Sequence, residues 1–204
     1  MIKIFYNNKI LLFNESRSPL LQKAKVIFSD DIVADYIKLF LTDGNDQNLE
    51  VCGVSDAEAM EFLASCVKIV NAGGGLVKDS DGRFLFIRRL GCWDLPKGWL
   101  EAGETIGECA VREVCEECGI AKNELVLGEK LTKTYHIYPY NGIFTLKATQ
   151  WFDMDYVGGG NMKPQTEEDI TQLRWFAVAD LQEVFDNTYD NIKEVLWLKT
   201  KKLS

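Results

Sequence analysis

The sequence has little of several things. No apolar run approaches the ~20 residues that a membrane-spanning helix needs, so nothing here reads as crossing a bilayer. The opening MIKIFYNNKI lacks the long apolar run and cleavage site of a secretory signal, and the expected location is cytoplasmic. Positive charge is in deficit: 23 Lys and Arg stand against 31 Asp and Glu, a net charge of −8. That balance argues against nucleic acid as the main partner, because phosphate contacts need a basic surface. A small phosphorylated ligand held by a few local cations is still allowed. The chain has one histidine, His136. There is one CxxC, Cys115 and Cys118, with no second pair to complete a zinc site, so the six cysteines read as reduced thiols acting as small apolar residues.

What is present begins with length. The chain has 204 residues, 47% of them hydrophobic, enough for a core in one enlarged domain or in one domain plus a small extra one. Residues 1–68 read as a small α+β unit. Ile2–Tyr6 and Ile10–Phe13 are strands around an Asn7-Asn8 turn, and Ala24–Phe28 is a third. Asp30 is placed to cap a helix running to about Leu41, and Leu49–Val54 is a further strand. Ser55 and Glu58 open a second helix with Met60, Leu63 and Val67 on its apolar side. No catalytic motif falls in this stretch, and three roles stay open for it: shaping a pocket, making a homodimer, or stabilising the enzyme. No Pro- or Ser-rich linker marks its end.

Residues 69–204 hold the remaining signals. Gly73-Gly74-Gly75 lacks the Lys-Ser/Thr ending of a phosphate-binding loop and reads as a strand allowing close backbone approach. Asp79–Gly82 is a turn. On the strand Arg83–Arg89, Phe84, Phe86 and Arg88 face one way, and Leu85, Ile87 and Arg89 the other. Trp93 reads as packing. Glu124–Lys130 and Leu131–Tyr138 are strand material, and Asn141-Gly142 turns the chain into a strand over Ile143–Met154. There Phe144, Leu146 and Ala148 alternate against Lys147 and Thr149. Leu173–Phe176 is the last strand, Ala179–Phe185 a helix, and 189–202 a closing helix whose Lys199, Lys201 and Lys202 suit its C-terminal dipole.

The chemistry concentrates in residues 98–120, GWLEAGETIGECAVREVCEECGI. Thr105 with Glu108 three residues on makes a capping box, and Gly119 fits the left-handed position that ends a helix. Between them Glu113, Glu116 and Glu117 share one face, while Ile106, Ala110 and Val114 form an apolar line. Like charges at this spacing cost roughly 0.2–0.5 kcal/mol per pair. Arg112 offsets part of that, and a hard divalent cation would offset more. By itself ExxEE is common on solvated helices. Here it stands with Gly98, then Glu104 after five residues, then Arg112-Glu113-Val114 after seven more, then Glu116-Glu117 and Gly119-Ile120.

That full pattern resembles the Nudix box. The resemblance covers roughly residues 69–185 and implies an α/β fold, a Nudix-type α/β/α sandwich with a mixed sheet, beside the small N-terminal α+β unit. It implies hydrolysis of a phosphoanhydride bond in a small nucleotide-type substrate, with Mg²⁺ or Mn²⁺. Glu113, Glu116 and Glu117 would be metal ligands, together with the Gly98 carbonyl, and one of the three acids could also serve as the base. Glu104 and Arg112 would pair and brace the loop. WDLPKG, residues 93–98, resembles the run before the box in enzymes that cleave dinucleoside polyphosphates. Lys97 and one of Arg88 and Arg89 would meet substrate phosphates. Tyr138 falls where those hydrolases carry a tyrosine, and Tyr135 stands where ADP-ribose enzymes carry proline. His136 is read as a phosphate contact or base, or as structural. Glu167 or Glu168, with Glu168 preferred, is the carboxylate of the acidic loop before the last strand. Other substrates in view are nucleoside triphosphates and sugar nucleotides such as ADP-ribose. Diphosphoinositol phosphates would want a Lys/Arg cluster that the sequence lacks. A non-hydrolysing nucleotide sensor on the same fold is the alternative class.

Overall fold

A computed structural model describes residues 1–29 and 32–200. The chain divides into two compact units, Met1–Val70 with Tyr135–Ala148, and Asn71–Thr134 with Thr149–Ser204.

In the first unit, β1 (Ile2–Tyr6) and β2 (Lys9–Asn14) form an antiparallel hairpin with Ile4 opposite Leu11. The turn works because Asn7 adopts a φ of 51°, which asparagine tolerates. β3 (Lys25–Phe28) is followed by α1 (Val33–Thr42) and then β4 (Leu49–Cys52), which lies parallel between β2 and β3. β4 stops short of the expected Val54 because Gly53 turns away at a φ of 78°. Asp30, expected to cap α1, lies outside the described residues, as do Lys201 and Lys202. Lys9, buried, donates from Nζ to the carbonyls of Phe40 and Asp43 (2.5 and 2.9 Å), a cation at the end of α1 that satisfies its orphan carbonyls. α2 (Asp56–Cys66) opens on the expected capping box of Ser55 and Glu58. Val33, Ile37, Phe40 and Leu41 of α1, with Ala59 and Leu63 of α2, pack on Ile4, Leu11, Phe13, Leu49 and Val51.

The second unit is built on β5 (Lys68–Lys78), β6 (Phe84–Arg89), β7 (Cys92–Asp94) and β8 (Lys97–Trp99), then α3 (Ile106–Cys118), β9 (Leu125–Tyr140), β10 (Ile143–Tyr156), β11 (Ile170–Phe176), α4 (Leu181–Asp186) and α5 (Asp190–Thr200). Its strand order is β11-β6-β5-β10-β9, with β7 on β6 and β8 on β5. Alternation on β6 sorts the layers. Phe84 and Phe86 join Leu76, Trp93, Trp151 and the apolar sides of α4 and α5. Leu85 and Ile87 join Val77, Met154 and the Ala110, Val114 and Cys118 side of α3. This is the helix/sheet/helix sandwich the resemblance implies. Tyr135 and His136 of β9 fall in the first unit, where they pair parallel with Ile4 and Phe5 of β1.

Three local readings change. β9 is one long strand, and Glu124, expected to start it, closes a 3₁₀ turn over Lys122–Glu124. Thr149 is buried and not on an open face, since β10 is covered on both sides there. The helix expected at Ala179–Phe185 is a 3₁₀ turn at Val178–Asp180 followed by α4. No described helix is long and apolar enough to cross a membrane.

The triple glycine positions the site. A Cβ on Gly73 would lie 2.7 Å from the Ala110 nitrogen and 2.8 Å from the Ile106 carbonyl oxygen, so α3 rests directly on the β5 backbone. Such contact leaves room for glycine alone.

Candidate active site

α3 starts on the expected capping box: Thr105 Oγ1 accepts from the Glu108 N–H, and the Glu108 carboxylate accepts from the Thr105 N–H (2.8 Å). It ends at Gly119, whose φ of 64° is the left-handed value read from sequence. A Cβ there would also meet the Lys163 nitrogen and oxygen at 2.8 Å. The approach lets the following loop dock on the helix end, with the Lys163 N–H donating to the Cys118 carbonyl (3.0 Å) and the Gln165 N–H to that of Glu117 (3.1 Å). Orphan carbonyls of the last turn are satisfied this way.

Arg112 is the hub. Its Nη2 and Nε donate to the two oxygens of Glu104 at 2.7 and 3.1 Å, and Nη2 also reaches the Trp99 carbonyl at 2.9 Å. Nη1 donates to Glu113 (2.7 Å) and Glu116 (3.0 Å). One guanidinium therefore ties the 99–104 loop to two of the clustered acids. The bidentate Arg112 pairing holds the Glu104 carboxyl down at about 2, against burial, which pulls the other way. The same carboxylates push the Arg112 guanidinium further up.

Glu117 differs from its neighbours. It is buried and accepts the Lys97 N–H at 3.0 Å. Burial pushes its carboxyl up to about 7, with the Lys97 charge partly offsetting this and Asp94 adding to it. Gly98 sits in β8 opposite Gly73, its carbonyl accepting the Cys109 thiol at 3.5 Å. A side chain on Gly98 would run into the Glu113 carboxylate, so this strand backs directly onto the acids.

The cations distribute unevenly. The Lys97 ammonium points inward onto Asp94 and the Leu95 carbonyl (3.3 Å), not toward an open site. Arg88 lies 5.1 Å from the Trp93 ring centre. Arg89 pairs with Glu168 at 2.9 Å, and its buried Nε has no acceptor among the described residues. His136 and Tyr138 belong to the first unit, their rings 5.8 Å apart and 23° from parallel. Asp94, buried and paired with Lys97, was not picked out from sequence; the signal was its i,i+3 spacing to Lys97 inside WDLPKG. Burial raises the Tyr189 phenol, followed by Asp94 and Cys92, with Arg89 opposing.

Among the described residues no three His, Cys, Asp or Glu side chains stand as a ready metal cluster. The donor chemistry nonetheless fits one. Glu113, Glu116, Glu117 and the Gly98 carbonyl are all hard oxygen donors, the set that suits Mg²⁺ or Mn²⁺. In this structure Arg112 takes the place of such a cation for Glu113 and Glu116.

The thiols are all free, and Cys109 and Cys118 lie on the buried side of α3. Burial pushes Cys109 up to about 12 and raises Cys115 and Cys118.

Comparison with known proteins places these features. The NUDIX domain family matches residues 69–197. An RNA pyrophosphohydrolase of Wolbachia sp. subsp. Brugia malayi (strain TRS) is 28% identical over 98 residues, covering 44% of this chain and 61% of that protein. The NAD-capped RNA hydrolase NudC of Vibrio atlanticus (strain LGP32) is 29% identical over 116 residues, covering 52% of this chain and 39% of that protein. The chain thus spans less than two thirds of either relative. Among solved structures, a C. elegans Ap4A hydrolase binary complex shares the fold with a TM-score of 0.51 at 22% identity, covering 66% of this chain and 97% of that one. The MutT protein of Methanosarcina mazei Go1 does so with a TM-score of 0.53 at 19% identity, covering 68% and 98%. With the box residues on their loop and helix, and the family match spanning well over half its length, the chain belongs to the NUDIX domain family.

Proposed function

We propose that this chain hydrolyses a phosphoanhydride bond in a nucleotide-linked substrate, with water attacking phosphorus and Mg²⁺ or Mn²⁺ bound. The observation that carries this reading is the joining of Glu113 and Glu116 to Glu104 through Arg112, beside a buried Glu117 and the Gly98 carbonyl. These four oxygen donors would hold the metal. When bound, it neutralises phosphate charge and lowers the pKa of a water. Arg112, bonded to Glu104 and to the Trp99 carbonyl, would hold the loop beside the acids. Glu168, on the loop docked against the end of α3, would take the attacking water's proton. A substrate phosphate competing for the Arg89 guanidinium that now pairs with it would free the Glu168 carboxylate.

The favoured substrate is a dinucleoside polyphosphate such as diadenosine tetraphosphate, supported by WDLPKG and Tyr138. The names of the sequence relatives favour a second reading, the phosphoanhydride at the 5′ end of an RNA.

The test is product release from diadenosine polyphosphates, ADP-ribose, nucleoside triphosphates and 5′-triphosphorylated RNA, each with Mg²⁺ and with Mn²⁺. Turnover of one class is expected to stop with chelator and to fall at least about a hundredfold in Glu116→Gln, the scale of losing one preorganised charge partner. Tight nucleotide binding without turnover in either metal would replace the hydrolase with the sensor.

A further inference from the structure

The sheet of the first unit has two unlike faces. Both helices, α1 and α2, pack on the face carrying Ile4, Leu11, Val51 and Ile137. The opposite face of β9 presents His136, Tyr138 and Tyr140 on alternate residues, as strand geometry requires. Their rings form a row, with centroids 5.8 Å apart between His136 and Tyr138 and 6.4 Å between Tyr138 and Tyr140. The first two rings are within 23° of parallel. Lys147 lies 5.5 Å from the Tyr138 ring centre. On the neighbouring strand Phe5 pairs with His136, and Lys3 lies 4.7 Å over the Phe5 ring. Tyr140 is 44% exposed, and His136, Tyr138, Lys3 and Lys147 are half-buried.

We infer that this aromatic face of β9 binds single-stranded RNA by stacking its bases on His136, Tyr138 and Tyr140, with Lys3 and Lys147 meeting its phosphates. A sheet that displays two or three aromatic rings at the reach of successive nucleotides is a stacking platform for unpaired bases. The charge balance agrees. A net charge of −8 disfavours binding dominated by phosphates, but stacking depends on ring faces and needs only local cations. A duplex hides its base faces and has nothing to offer this surface.

The inference does not rest on hydrolysis, so its probe is a short 5′-hydroxyl oligoadenylate with a 3′ fluorophore, which has no phosphoanhydride to cleave. Fluorescence anisotropy with the full chain should show saturable binding that the matching duplex does not compete for. Tyr138→Ala and the safer, exposed Tyr140→Ala should each weaken it about tenfold, while Tyr138→Phe and Glu116→Gln leave it unchanged. Lys147→Gln should flatten the log–log salt dependence by about 0.7. No binding by the folded wild type, equal binding by both alanine variants, or equal affinity for duplex would each overturn the inference. Loss of binding in Glu116→Gln would move the contact to the metal site.

Discussion

Replacing Gly119 with alanine tests two structural claims at once. Gly119 holds a φ of 64°, and a Cβ there would lie 2.8 Å from both the nitrogen and the oxygen of Lys163. The backbone conformation alone costs an ordinary residue roughly 1–2 kcal/mol. The contact is with main chain, which cannot rotate aside, so the 163–165 segment must move, at about 1–3 kcal/mol more. The expected loss is therefore about 2–5 kcal/mol. Gly82 is the internal control: its φ is 77°, yet a Cβ there would meet nothing within 4 Å. Gly82→Ala should cost only the conformational part, roughly 1–2 kcal/mol. Urea unfolding of both variants beside wild type, followed by two probes to check two-state behaviour, gives the difference directly. If the two losses agree within about 0.5 kcal/mol, near the limit of such measurements, the claim that Gly119 makes room for the docked loop is wrong. Should Gly119→Ala instead lose activity with no loss of stability, the loop's position matters to the chemistry but not to the fold.

Two further outcomes follow from the site. Lys97→Met leaves Asp94 buried without its cation, and should cost about 3–5 kcal/mol in thermal or urea unfolding; Asp94→Asn added to it should recover part of that loss, and no recovery would remove Asp94 as the cause. Glu104, held down to about 2 by Arg112, contributes stability that is complete above its unfolded value of 4.5 and is lost as pH falls from there toward 2. Glu104→Gln should therefore shrink the acid-side fall in stability across that window, and parallel pH profiles for the two proteins would refute the pairing.

Much of this was legible in the sequence because it depends on short-range chemistry. The capping boxes at Ser55 and Thr105 need only a hydroxyl and a glutamate three residues on, and both formed. Gly119 at the helix end, the Asn141-Gly142 turn and the sorting of Phe84 and Phe86 from Leu85 and Ile87 are equally local. What the sequence hid depends on partners distant along the chain. Nothing near Tyr135 indicates that it aligns with Ile4, so the grouping of Tyr135–Ala148 with the first unit could not be read. Thr149 looks like a surface residue until both faces of β10 are seen to be covered. Lys97 read as a phosphate ligand, because a lone cation in a loop gives no sign that a buried aspartate is waiting for it. Within the box, spacing placed three acids on one face but did not reveal that Arg112 holds two of them together with Glu104.

The glycines of β5 also set which positions can drift over evolutionary time. A methyl group on Gly73 meets only main chain of α3, which has no freedom to yield. On Gly74 it meets the Trp151 ring at 2.6 Å and the Pro96 oxygen at 2.9 Å, one bulky and one fixed. On Gly75 it meets the ends of the Met154 and Val114 side chains, and methionine can re-route. Three neighbouring and chemically identical residues thus differ in how freely they can be replaced. A library of alanine replacements should return Gly75 variants before the others.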